Sequence, residues 1–175
     1  MKITKILSVL IILVALVGCS SDDDSVEINP NDDLLGTWVV TGIQASSIGF
    51  ITQAGGVTVA VSSEAMGYDI NLTWTFEENP NELTSNGSFS FETETNAGGQ
   101  ISTSNIEGIT SNFVTDWVRN NGVITITNEE GEAVPITIVN LSSNALQLTY
   151  EQVSDYTVSG LPAQTTTQTI YFFTR

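Results

Sequence analysis

The side chains available for chemistry in this chain are almost entirely carboxylates, hydroxyls and amides. Its 175 residues include 20 Asp or Glu, four Lys or Arg, one Cys and no His. Without His there is no Ser-His-Asp or Cys-His nucleophile and no imidazole metal ligand. A single Cys allows neither an intrachain disulfide nor a thiolate zinc site. The formal charge of −16 argues against nucleic acid as a partner, because phosphate binding needs clustered Lys and Arg.

Paired carboxylates are the one catalytic set left, because two of them can hydrolyse a glycoside. Glu92 with Glu94, or Glu77 with Glu151, could form such a pair. The alternation of apolar and polar residues around these acids places all four on solvent-facing positions. No Gly-x-Ser-x-Gly elbow and no glycine-rich nucleotide loop followed by Lys is present. We therefore expect no enzyme, with no catalytic residues, no metal site and no cofactor.

The first 18 residues have the layout of a signal peptide. Lys2 and Lys5 form a positively charged start, and Ile6–Val17 is an apolar run interrupted only by Ser8. A membrane-spanning helix needs about 20 residues, and this run is shorter. Residues 1–18 are therefore predicted to be a targeting segment that is removed.

Leu16-Val17-Gly18-Cys19 resembles the lipobox of bacterial lipoproteins. The resemblance implies that the Cys19 thiol receives a diacylglyceryl group, that cleavage follows Gly18, and that the new α-amine is acylated with a chain such as palmitate. Acyl chains of this kind hold a protein on a membrane, since each buried CH₂ contributes about 0.8 kcal/mol. The alternative is an ordinary buried thiol in a hydrophobic helix.

Residues 19–33 are predicted to form a flexible tether, because they are rich in acids, Ser, Asn and Pro and have no apolar face. Ser21–Asp24 resembles the acidic export signal of Bacteroidetes surface lipoproteins, which implies a location on the outer face of the outer membrane. A plain solvated linker is the alternative. Once residues 1–18 are removed, Arg119 and Arg175 stand against all 20 acids, a formal charge of −18. Such a charge discourages direct binding to anionic lipid headgroups.

From Leu34 to Arg175 the sequence predicts one domain of short alternating strands. In the clearest strand, Leu72, Trp74 and Phe76 alternate with polar residues, which predicts one buried and one solvent-facing side. Turn residues such as Asn-Gly separate the runs, as is typical of hairpins. The predicted strands are Thr37–Ile43, Ile70–Glu77, Ser88–Glu92, Phe113–Arg119, Val123–Thr127, Val134–Leu141, Ala145–Glu151 and Thr169–Thr174.

An antiparallel sheet of about eight strands either closes or splits into two packed sheets. Closure removes the exposed edges, and most connections after Asp69 are as short as hairpins. We therefore expect an all-β fold, a single antiparallel up-and-down β-barrel, with a β-sandwich as the alternative. A barrel of this size holds side chains or one small ligand.

Leu34-Leu35-Gly36-Thr37-Trp38 resembles the Gly-x-Trp opening of lipocalins and their calycin relatives. Residues 72–76, 122–126 and 146–148 are similar to segments of the lipocalin-like lipoproteins of Bacteroidetes. The resemblance implies a lipocalin-like barrel over residues 34–175, in which Trp38 packs near the closed end against an Arg from the last strand. Arg175 is the candidate for that Arg, with cation–π packing as the physical reason. Gly36 completes this signature.

Two long segments depart from a minimal barrel. Gln44–Asp69 is almost uncharged and rich in small residues. It is expected to form either a flap over the barrel mouth, with Gly49, Gly55 and Gly56 as hinges, or an extra hairpin around the last two. Thr95–Ser111 is rich in Gly, Ser, Thr and Asn and is predicted to be a mobile loop.

The expected function is that of a non-catalytic, lipid-anchored envelope lipoprotein whose barrel binds a small apolar or amphipathic ligand. Its partners would be the membrane, through Cys19, and that ligand. The alternative is a surface-exposed structural, glycan-binding or protein-binding lipoprotein with a solidly packed barrel. The residues expected to line the interior are Trp74, Phe76, Phe89, Phe91, Leu148 and Tyr150, with Phe50 and Met66 near the mouth.

Overall fold

The computed structural model describes residues 34–52, 56–128, 131–158 and 160–175. The predicted signal peptide, the Cys19 lipidation site and the tether lie outside the described residues. Turns join the strands within that part of the chain, and it contains no helix able to cross a membrane. The strands are β1 Gly36–Thr52, β2 Thr58–Glu77, β3 Glu82–Ala97, β4 Gln100–Thr110, β5 Phe113–Asn120, β6 Val123–Thr127, β7 Ala133–Leu141, β8 Ala145–Val158 and β9 Leu161–Thr174.

The strands form an antiparallel sheet that closes on itself. Because β2 pairs with both β1 and β3, a ring of eight strands runs β2-β1-β9-β8-β7-β6-β5-β3 and returns to β2. Each of the eight predicted strand segments lies in one of these eight strands. The prediction of an all-β, antiparallel, closed sheet of about eight strands is confirmed, and the β-sandwich alternative is wrong.

Bulky apolar side chains fill the inside of the ring. The period-two pattern of β2 puts Leu72, Trp74 and Phe76 in this core, while the polar residues between them face outward. Every strand of the ring contributes to the same hydrophobic cluster. The large core side chains that are almost completely buried are Trp38, Ile43, Leu72, Phe76, Leu83, Ile124, Leu146, Leu148 and Phe173.

β3 changes its neighbour partway along its length. Glu82–Ser85 pairs with β5, whereas Ser88–Ala97 pairs with β4. Gly87 lies between these runs with a φ of +136°, and a Cβ added there would lie 1.9 Å from a carbonyl oxygen of β2. The loop between β4 and β5 closes this branch, because Ser111 N donates to the Gly87 carbonyl and Gly87 N donates to Asn112 Oδ1. Only glycine fits the branch point.

Beyond the branch, six strands continue past the ring as an open sheet in the order β4-β3-β2-β1-β9-β8. β7 pairs with β8 only as far as Thr149, so the rest of β8 forms one edge of this sheet and β4 forms the other. Register shifts in β1, β2 and β3 mark the boundary with the ring, where bulges bend strands. We call this region the projecting sheet; it comprises residues 44–52, 58–66, 91–97, 100–106, 151–158 and 161–168.

The projecting sheet decides between two alternatives and corrects one prediction. Gln44–Asp69 is not a flap but the expected hairpin, which continues β1 and β2 outward until Thr52 pairs with Thr58. Thr95–Ser111 is not a mobile loop, because it forms the end of β3, a turn, and β4. These strands lack bulky alternation because they cover no core, so the pattern that marks the ring strands is missing from them.

Candidate functional site

Gly36, Trp38 and Arg175 meet at one end of the ring. The guanidinium carbon of Arg175 lies 4.1 Å from the ring centroid of Trp38. Its Nη1 donates to the Leu35 carbonyl at 2.7 Å, and its Nε donates to the Ser143 carbonyl at 2.8 Å. A Cβ on Gly36, which has a φ of +109°, would lie 3.6 Å from Nη1. One cation therefore links the start of β1, the β7–β8 turn and the end of β9.

Trp74 is the centre of an aromatic cluster inside the ring. Its ring centroid lies 5.2 Å from that of Tyr171, 5.3 Å from Phe173, 6.1 Å from Phe113 and 6.4 Å from Phe76. These separations are those of direct aromatic packing. Trp74 is only 5% exposed, so aromatic side chains occupy the interior at this level.

The residues expected to line a ligand cavity divide into three groups. Phe91 and Tyr150 are half-buried. Phe50 and Met66, expected near the mouth, are exposed on the projecting sheet, on the face opposite the side that continues the ring core. The other four belong to the buried core and border none of the clefts described below: Trp74, Phe76, Phe89 and Leu148.

Burial inside the ring disfavours charge on its polar side chains. Burial raises the pKa of the Tyr171 hydroxyl above its ordinary value, and the neighbouring Tyr150 raises that pKa further. Burial also raises the pKa of Tyr150. The indole N–H of Trp74 is buried without a hydrogen-bond partner, whereas Trp38 Nε1 donates to the Leu34 carbonyl at 2.8 Å. An uncharged hydrogen-bond acceptor would satisfy this N–H, whereas burial here disfavours a charged group.

Five large exposed apolar side chains lie on the outer face of the projecting sheet, the face turned away from the side that continues the ring core. Ile48 is 66% exposed and pairs with Ser62 on one side and Thr166 on the other. Val153 also pairs with Thr166, so apolar side chains recur across several strands. The exposed apolar residues of this face are Ile48, Phe50, Met66, Ile101 and Val153.

Carboxylates share the outer face with these apolar side chains. Glu64 lies directly opposite Glu94 in the β2–β3 register, and Glu92 lies opposite Met66. The described part of the projecting sheet contains no Lys or Arg. A groove of about 200 Å³ runs between Glu64, Met66 and the facing side chains of β1 and β9, including Gln168. The outer face is therefore both apolar and strongly anionic.

The inner face of the projecting sheet carries paired hydroxyl groups together with apolar side chains, of which Ile106 is 51% exposed and Tyr156 is 41% exposed. Ser47 Oγ and Thr167 Oγ1 lie 2.8 Å apart, and Ser63 Oγ and Thr95 Oγ1 lie 3.3 Å apart. These hydroxyls bond to one another across neighbouring strands. Backbone pairing, rather than a hydrophobic core, holds this part of the sheet together.

A second cleft, of about 480 Å³, lies beside β5 and β6 where their pairing ends at Trp117 and Ile126. Phe113, Val114 and Ile126 give it an apolar wall, and Glu82 and Asp116 lie at its border. These two acids are opposite each other in the β3–β5 register. This pair is not apparent from the sequence, because only strand pairing brings the two acids together.

Neither cleft has the ligands of a metal centre, since no group of three metal-ligating side chains occurs within the described ranges. The acids singled out as catalytic candidates, Glu77, Glu92, Glu94 and Glu151, are exposed. Compared with known proteins, the chain matches no family model, no curated protein and no solved structure.

Proposed function

We propose that this chain is a non-catalytic, lipid-anchored protein of the outer-membrane surface, in which a packed lipocalin-like ring carries a projecting sheet that binds a protein partner. The lipobox-like Cys19 and the acidic segment Ser21–Asp24 support the location. The Gly36, Trp38 and Arg175 contacts at the end of the ring support the lipocalin-like relationship.

The main support for the binding role is the position of the exposed apolar side chains. Ile48, Phe50 and Met66 stand on the outer face of the projecting sheet, while the aromatic residues of the ring are packed against one another. Contiguous exposed apolar surface rimmed by polar groups is typical of interaction sites. The projecting sheet extends beyond the ring. In a protein held on the membrane by a tether, its outer face would be accessible to a partner.

The composition of the outer face favours a protein over a glycan. Its apolar residues are mostly aliphatic, and Phe50 is the one aromatic side chain among its large exposed apolar residues. Glu64, Glu92 and Glu94 add negative charge with no basic residue beside them in the described sheet. A partner surface that combines apolar side chains with Lys or Arg is complementary to this face.

One observation favours a second candidate, a small ligand inside the ring. The Trp74 indole N–H has no hydrogen-bond partner although it is buried. A small neutral molecule with a carbonyl or ether oxygen would satisfy it. Such a ligand would have to displace the aromatic rings that now pack against Trp74, which is why the outer face is the stronger candidate.

Site-specific photo-crosslinking on whole cells tests the proposed binding face. A photoreactive amino acid replaces Ile48 in the full-length chain, and the control replaces Val118, which lies on β5 and is 62% exposed. We expect a discrete protein adduct from position 48 and none from position 118. Glu64→Gln with Glu94→Gln should weaken the adduct, and added salt should weaken it as well.

Equal adducts at both positions would show that exposure alone explains the crosslink. The absence of an adduct at position 48, with the protein present at the cell surface, would remove the proposed role of the outer face.

A further inference from the structure

β4 has a free edge along the side of the projecting sheet. It is the last strand in the sheet order and pairs only with β3 among the described strands. Its regular pairing covers Gln100–Ile106 and ends at a bulge, where Gly108 N donates to Ser90 Oγ at 3.2 Å. In an antiparallel pair, alternate residues direct both N–H and C=O away from the neighbour. β4 therefore presents a row of backbone donors and acceptors at its open edge.

This edge lacks the features that usually prevent strands from pairing with other molecules. Natural edge strands carry Lys, Pro or charged side chains that discourage association. Gln100–Ile106 has no Pro and no charged residue, although the chain contains 20 acids. The opposite edge of the projecting sheet differs, because β8 carries Glu151 and Asp155 there. Only the β4 edge is uncharged over its whole regular run.

We propose that β4 pairs antiparallel with β4 of a second copy of this chain, about a two-fold axis through Thr103. This register joins the two projecting sheets into one continuous sheet. It places Thr103 opposite its own copy and Ser102 opposite Ser104, and Ile101 opposite Asn105. Cross-strand Thr–Thr pairs are favourable, and this register opposes no like charges within the run. The edge is therefore complementary to itself.

The negative charge of the chain does not prevent this pairing at physiological salt. The closest acids on the adjoining strand are Glu92 and Glu94 of β3, opposite Asn105 and Thr103. In the pair of copies, the two β3 strands are three strand spacings apart, about 14 Å. This separation exceeds the screening length of roughly 8 Å at physiological ionic strength. The association should therefore be weaker at low salt.

Disulfide trapping tests the proposed axis directly. Thr103→Cys in the full-length chain, extracted in mild detergent and treated with diamide, should give a crosslinked dimer on a non-reducing gel. Directly opposed residues of antiparallel strands are about 4.5–5.5 Å apart at Cα, within disulfide range. Thr137→Cys is the control, because Thr137 is also exposed but lies on β7, which has a neighbour on each side. Equal crosslinking of both variants would overturn the proposal.

Charge complementation tests the same axis without a covalent bond. Ser102 and Ser104 would face each other across the axis, and within one copy they lie opposite Thr95 and Thr93. The double variants Ser102→Glu/Ser104→Glu and Ser102→Lys/Ser104→Lys each place like charges opposite each other, so each alone should lose about tenfold in dimer affinity. A mixture of the two should recover dimers in sedimentation experiments. If repulsion between the net negative charges of the two copies were the only factor, the Lys variant alone would associate more strongly. That result, or failure of the mixture to recover dimers, would contradict a two-fold axis at Thr103.

A third result would also count against the second copy. If the unsubstituted chain is monomeric at every concentration, β4 does not pair with a second copy and the proposal is overturned. The outer face remains open in the proposed dimer, so these outcomes are distinct from those of the photo-crosslinking experiment at Ile48.

Discussion

Arg175, at the end of the last strand, packs over Trp38 in the first strand, with its guanidinium carbon 4.1 Å from the indole centroid. The same guanidinium donates hydrogen bonds to the carbonyls of Leu35 and Ser143. Because β1 and β9 are neighbours in the ring, this contact joins strands from the two ends of the domain. It closes one end of the ring with a single cation.

Loss of this cation should destabilise the ring. Arg175→Ala is expected to lower the free energy of unfolding by about 2 kcal/mol, because it removes a cation–π contact and two hydrogen bonds from a charged donor. Arg175→Lys should recover only part of this loss, because an ammonium cannot reproduce the planar donors. Urea unfolding measures both, with Arg119→Ala as the control. Equal effects at the two arginines would contradict a special role for Arg175.

Two of the core tryptophans, Trp38 and Trp74, should respond differently to the same substitution. Trp38→Phe removes a buried hydrogen bond and leaves the Leu34 carbonyl unpaired, whereas Trp74→Phe removes an N–H that has no partner. Trp38→Phe should therefore cost about 1–2 kcal/mol more than Trp74→Phe. Denaturant unfolding of the two variants gives this difference. If Trp74→Phe is the more harmful, the Trp74 N–H has a partner that the packing does not reveal.

The branch in β3 should tolerate no side chain at Gly87. Gly87→Ala would force a Cβ into the backbone of β2 and is expected to cost at least about 3 kcal/mol. Gly131 is the matched control, since it also has a positive φ but no atom lies within 4 Å of an added Cβ. Gly131→Ala should cost about 1 kcal/mol. Thermal unfolding compares the pair, and similar losses would mean that the branch can relax.

Alkaline pH should destabilise the fold through Tyr171. Burial raises its pKa in the folded state, whereas the unfolded chain ionises this tyrosine near its ordinary value of 10.0. The folded state therefore favours the neutral hydroxyl. This contribution is fully present below the unfolded pKa and is lost as pH rises through the folded pKa. Free energies of unfolding measured from about pH 8 to pH 11 should fall less in Tyr171→Phe. Parallel curves for the two proteins would exclude Tyr171 as a cause.

The strands of the ring were predictable because each has one face in the core. Leu72, Trp74 and Phe76 alternate with polar residues for that reason, as do the residues around Phe89 and Leu148. Segments such as Thr169–Thr174 were predicted from their β-branched and aromatic residues instead. The resemblance in sequence also predicted that Trp38 packs against Arg175, and the structure places these two residues in contact.

The projecting sheet and β4 were not predictable in the same way. Most side chains on both faces of these strands are exposed or half-exposed, so no continuous buried side imposes a period of two. In β4, Ile101 and Ile106 are an odd number of residues apart and lie on opposite faces, and a bulge separates Ile106 from Ile109. The pairing of Glu64 with Glu94, and of Glu82 with Asp116, depends on strand register. Register follows from tertiary pairing that a single sequence does not display.

The central claim is that side chains fill the ring, so that binding takes place on the projecting sheet. Native mass spectrometry of the full-length chain tests this claim most directly. The protein is released from membranes in mild detergent, and anything bound without a covalent bond is extracted and identified. A filled ring predicts no co-purifying small molecule and no quenching of Trp fluorescence by fatty acids, sterols or tetrapyrroles. A stoichiometric apolar ligand whose quenching is lost in Trp74→Phe would contradict it, because that ligand would occupy the ring interior.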